Sequence, residues 1–138
     1  MKQSVILTVA SMLMILLSSL HLADDIVRGF EKGVPSDLVV VPMMVILLYG
    51  TLVLAERRSG YLIILLGSLL GAFVPVIHFK GVGGVAGGRI ANSSGAFFFV
   101  WTLLALGVCA VFSAILSAHG LWRSFASRSP GRQPSASP

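Results

Sequence analysis

Val5 to Leu22 reads VILTVASMLMILLSSLHL, eighteen consecutive residues without Asp, Glu, Lys or Arg. As a helix this run is about 27 Å long, close to the roughly 30 Å hydrocarbon core of a bilayer. A secretory signal has the same outline, a lone cation (Lys2) followed by an apolar run. A signal is cut after small residues at two positions, however. Ala23 would serve at one, but His21 would stand at the other and is too large. The run is therefore read as a retained membrane helix.

Three further runs follow outward from the first. They are Leu38 to Ala55, Tyr61 to Phe79 and Ala96 to Ala118. Breakers and charges separate them: Lys32-Gly33-Val34-Pro35-Ser36-Asp37, then Glu56-Arg57-Arg58-Ser59-Gly60, then the glycine-dense Lys80 to Gly95. Asp37 is placed to cap the second helix, and Pro42 falls in its first turns, where a missing amide is tolerated best. The turn at 56–60 is too short for a domain and makes spans two and three antiparallel neighbours. The expected fold is all-α, an integral membrane bundle of four transmembrane helices at about 5–22, 38–55, 61–79 and 96–118. A transmembrane domain is expected over 1–122, with a basic, Pro/Ser-rich, disordered cytoplasmic tail over 123–138.

Composition agrees. Of 138 residues, 56% are hydrophobic and 11% charged, and mean hydropathy is +0.94. Soluble domains carry about 25% charged residues, so lipid is the expected solvent and the bilayer the first partner. The net charge of +5 does not point to nucleic acid, because no run of Lys and Arg interleaved with aromatics occurs. It reports orientation instead. With four spans, Lys2, Arg57, Arg58, Arg123, Arg128 and Arg132 share a side against Arg28, Lys32, Lys80 and Arg89. The cation excess puts both termini in the cytoplasm, with the plasma (inner) membrane as the expected location. The layout resembles several small bacterial membrane families of unknown role, in architecture only.

Polar chemistry concentrates at the end of the first run, in His21 to Glu31, HLADDIVRGFE. If the helix continues there, His21, Asp24 or Asp25, and Arg28 recur on one face. His78 ends the third run, which points the same way through the membrane, so the two imidazoles are expected at one depth. The candidate polar or metal site is His21, Asp24, Asp25 and His78, since imidazole and carboxylate together suit a divalent metal or a proton relay. The bland alternative is that the acids are solvated at a helix end and balanced by Arg28. His119 falls at the opposite face and is read as an interface residue.

Gly67 and Gly71, in GSLLG, are candidate helix-packing residues with GxxxG spacing. Pro75 is expected to bend the third helix one turn before His78. GVGGVAGG lacks the lysine-serine ending of a phosphate-binding loop and follows a membrane helix, so that reading is rejected. Phe97-Phe98-Phe99 and Trp101 suit a headgroup boundary. Cys109, the only cysteine, lies mid-run and is read as packing. No HExxH, CxxC or Ser–His–Asp order occurs, so hydrolase and thiol-redox readings have no motif behind them.

Two functions fit these observations. One is a non-enzymatic self-associating module, or a subunit of a membrane complex, contacting its partner through the GxxxG face. The other is a transporter component or membrane enzyme with an outer-facing His/Asp site, with divalent metal as the one cofactor the residues suggest.

Overall fold

The computed structural model describes residues 3–29, 40–79, 90 and 92–127. The fold is all-α with four helices: α1 (Gln3–Val27), α2 (Val40–Leu52), α3 (Arg58–Phe79) and α4 (Ala96–Ala126). Three of them, α1, α3 and α4, are long and apolar enough to cross a membrane. The 13 residues of α2 measure about 20 Å, less than a hydrocarbon core. Asp37, Leu38, the segments at 30–39 and 80–89, and the tail beyond Ser127 lie outside the described residues.

Helix ends and apolar runs do not coincide. α1 continues past Leu22 to Val27, and α4 past Ala118 to Ala126. Arg123, where the tail was expected to begin, is helical. α2 stops at Leu52 instead of Ala55, because the chain must reverse within 53–57. The Arg57 amide donates to the Leu54 carbonyl at 3.0 Å, and Glu56 takes φ 65. Gly60 allows the close return: a Cβ there would fall on the Leu54 carbonyl.

Neighbouring helices are antiparallel. Gly67 of α3 faces Leu47 of α2, and Gly120 of α4 faces the Tyr61 ring at the start of α3. At the start of α1, the Gln3 side-chain Nε2 donates to the Leu116 carbonyl of α4 at 3.2 Å. α1 and α3 each pack on both α2 and α4, whereas α2 and α4 stay apart. α1 and α3 therefore run parallel and meet across the diagonal of the bundle.

The interior combines small and polar groups with a few large apolar ones such as Met14, Phe99, Leu103 and Leu106. The buried stripe of α1 is Leu7, Ala10, Ser11, Met14, His21 and Asp25, at three-, four- and seven-residue intervals that keep one face inward. On α4 the stripe ends Ala110, Ser113, Ser117, Gly120. Large apolar side chains such as Leu16, Leu66, Phe73, Val108 and Ile115 point outward. Small residues inside and large apolar ones outside is the pattern of helices that pack in lipid. Trp101 and Trp122 are both exposed on α4, and their offset of 21 positions spans about 31 Å.

Candidate functional site

The extension of α1 places the site. Residues four apart share a helix face, so His21 and Asp25 both enter the buried stripe, at 4% and 5% exposure. His78, near the C-terminal end of α3, comes to meet them across the diagonal. His21 Nε2 lies 3.6 Å from Asp25 Oδ2, and His78 Nε2 lies 3.5 Å from the same oxygen. The two imidazoles meet edge to face with ring centroids 4.8 Å apart. One ligand atom from each of the three residues lies within 4.8 Å of the other two.

At 3.5–3.6 Å both contacts are within ion-pair reach of a protonated imidazole but longer than ordinary hydrogen bonds. Neither ring nitrogen of His21 nor Asp25 Oδ1 has a hydrogen-bond partner among the described residues, although all three atoms are buried. Each buried polar atom left so costs about 1–3 kcal/mol. His78 is oriented by its own helix, since its Nδ1 lies 2.9 Å from the Val74 carbonyl. A carbonyl only accepts, so Nδ1 carries the proton and donates it. In the neutral ring the lone pair is then on Nε2, the nitrogen facing Asp25. A ring N–H donated to a backbone carbonyl is the usual support of a metal-binding histidine.

Asp24 stands outside this cluster. Arg28 Nε donates to Asp24 Oδ2 at 2.7 Å, again at a four-residue interval. The same guanidinium donates from Nη1 to Ser93 Oγ at 2.8 Å and to the Ser94 carbonyl at 2.7 Å. Its Nη2 donates to the Gly95 carbonyl at 2.9 Å. Arg28 thus fastens the end of α1 to the residues that lead into α4. Gly95 has φ 75, and a Cβ there would sit 2.7 Å from Arg28 Nη2. A side chain there is strained by the positive φ, and its Cβ would push the guanidinium aside.

Phe99 of α4 closes the third side. It is fully buried, with its ring centroid 4.8 Å from His21 and 5.7 Å from His78. Ile90 is buried with Phe99 and Leu103 in one cluster, so the segment before α4 covers the aromatic wall. Sequence reasoning assigned Phe99 to a headgroup cluster. Its place beside the imidazoles follows from α4 packing on both α1 and α3.

Inward from the cluster lies a cavity of about 260 Å³, lined by His21, Asp25 and His78 at one end and by apolar side chains of α1, α2 and α3. Gly67 and Gly71 pack within the chain: Gly67 receives Leu47, and a Cβ on Gly71 would lie 3.3 Å from Ala110 and 3.4 Å from Met14 Sδ. His119 is at the far end of the bundle, 3.0 Å from the Gln3 side chain, and takes no part. Cys109 packs against the Met14–Leu106–Ala110 core cluster.

No protein-family model matches the chain, and no curated protein or solved structure does.

Proposed function

We propose that this is a small multi-pass membrane protein that holds a transition-metal ion through His21, Asp25 and His78, where the bundle meets the bilayer surface. The observation that carries the reading is the convergence of a buried carboxylate and two imidazoles, with both His21 ring nitrogens and Asp25 Oδ1 lacking hydrogen-bond partners among the described residues. Tetrahedral ligands at 2.0–2.1 Å from a metal stand about 3.3 Å apart. The separations to Asp25 of 3.5 and 3.6 Å are close to that edge, while the three ligand atoms together span up to 4.8 Å, so the imidazoles would draw together on an ion. Three protein ligands leave a fourth position for water, a carrier or a substrate.

Charge supports the same reading. A buried carboxylate needs a compensating cation, and the Arg28 guanidinium on the same helix is held by Asp24 and the backbone before α4. The cation excess of the opposite face supports an outer-side location for the cluster. Self-association through Gly67 and Gly71 has less support, because Leu47, Met14 and Ala110 would have to vacate those positions.

The test is a Co(II) titration of the full chain in detergent, read by the d–d absorption of the bound ion. The wild type should bind one equivalent, and His21→Gln, Asp25→Asn and His78→Gln should each remove the spectrum. If all three variants bind Co(II) as the wild type does, the reading is wrong.

A further inference from the structure

The cavity extends inward beyond its polar rim. Met14 on α1 and Met43 and Met44 on α2 line it together with Gly71 of α3. Met14 stands two turns inward of His21 on the same buried stripe, about 10 Å along the helix. Gly71 makes the room, since the Met14 sulfur lies 3.4 Å from where its Cβ would be. Leu47 packs on Gly67. One turn back along α2 is Met43, and one turn on along α3 is Gly71, so the antiparallel register carries Met43 toward the same gap. Of the four methionines among the described residues, only Met12 lies outside the cavity lining.

Thioether sulfur is a soft donor. It does not suit Mg, Ca or Mn, and with imidazole it selects Cu(I). We propose that the cavity is a copper(I) site in which His21 and His78 receive the ion at the rim and Met14, Met43 and Met44 hold it further in. The proposal rests on the reading of His21, Asp25 and His78 as metal ligands, and it names the metal.

The full chain in detergent, kept anaerobic, is titrated with Cu(I) against the chromophoric chelator bicinchoninate and examined by X-ray absorption. The wild type should withdraw Cu(I) from the chelator and show Cu–S scattering. The triple variant Met14→Leu, Met43→Leu, Met44→Leu should lose that scattering and at least tenfold in Cu(I) affinity, while its Co(II) spectrum stays unchanged. Leu and Met have similar volumes, so the bundle should persist. Selenomethionine-labelled wild type gives the same answer without substitution, through Cu–Se scattering. Undiminished Cu(I) affinity in the triple variant, or a shell of nitrogen and oxygen alone in the wild type, reduces the methionines to packing and overturns the proposal. Absence of a Co(II) spectrum in the wild type counts against the rim instead, and Cu–S or Cu–Se scattering then decides the thioether tier separately.

Discussion

Asp24 and Asp25 are consecutive on α1, yet their carboxylates serve different elements. Asp24 accepts from Arg28 Nε at 2.7 Å, whereas Asp25 presents Oδ2 to His21 and His78 at 3.6 and 3.5 Å. The separation comes from helix geometry, which turns neighbouring side chains about 100° apart. Equal substitutions at the two positions should therefore have unequal effects. Asp25→Asn should weaken metal binding by about 10²-fold or more through loss of a charged ligand. Asp24→Asn should change it less than about threefold and act mainly on stability. Isothermal titration of both variants checks the contrast, and equal losses would count against it.

Arg28 joins α1 to the start of α4 through three contacts with residues 93–95. Arg28→Ala leaves Asp24 and two carbonyls without their donor and should cost about 2–4 kcal/mol of stability. Gly95→Ala should approach that loss, since the added Cβ meets both a positive φ and the guanidinium. Unfolding in mixed micelles measures both. A Gly95→Ala protein as stable as wild type would show that the clamp is not under that constraint.

Glycine-to-alanine changes on the packing faces should rank by what the new methyl meets. On Gly60 it falls on the Leu54 backbone carbonyl, on Gly120 it meets the Tyr61 ring, and on Gly67 it meets the end of Leu47. Backbone cannot move aside as a leucine tip can. The expected order of destabilisation is Gly60, then Gly120, then Gly67, with overpacking typically costing about 1–3 kcal/mol. The reverse order would contradict the packing described.

Metal and protons compete for the same imidazole nitrogens, which sets the sign of pH dependence. Binding should weaken as pH falls and the imidazoles take up protons, and entry of the ion should then release those protons. Titrations in two buffers of different ionisation enthalpy read the proton count. Binding that strengthened toward low pH would exclude imidazole ligation.

Trp101 and Trp122 should mark the two boundaries of the hydrocarbon layer. In vesicles, single-tryptophan variants made by Trp101→Phe and Trp122→Phe should both be quenched more by bromines near the headgroups than by bromines at mid-chain. Deep quenching of either residue would displace the span along α4.

Much of the fold was legible from the apolar runs, because lipid demands helices and leaves little choice of length. The helix ends were not. HLADDIV carries polar groups past the first run, yet its partners lie on α3, on α4 and just before α4, out of reach of any local pattern. The pairing of His21 with Asp25 was one of two options at helical spacing, and only the rotation of α1 against α3 selected it. Ser93-Ser94-Gly95 gave no sign of receiving Arg28, since its carbonyls rather than its side chains accept two of the three bonds. The turn at 53–57 shortened α2 for a reason visible only in three dimensions, the return of Gly60 onto Leu54.

His21 and His78 belong to parallel helices that no short connection joins. The intervening α2 must fold back before they can face each other. Loop closure over so long a stretch is entropically costly and comes late. The diagonal contact thus works as a checkpoint of assembly: it exists only once three helices are in register. A ligand bound there at a hundred times its dissociation constant would add about 2.7 kcal/mol to the finished bundle and nothing to an unfinished one. Supply of that ligand would then set how much of the chain survives quality control.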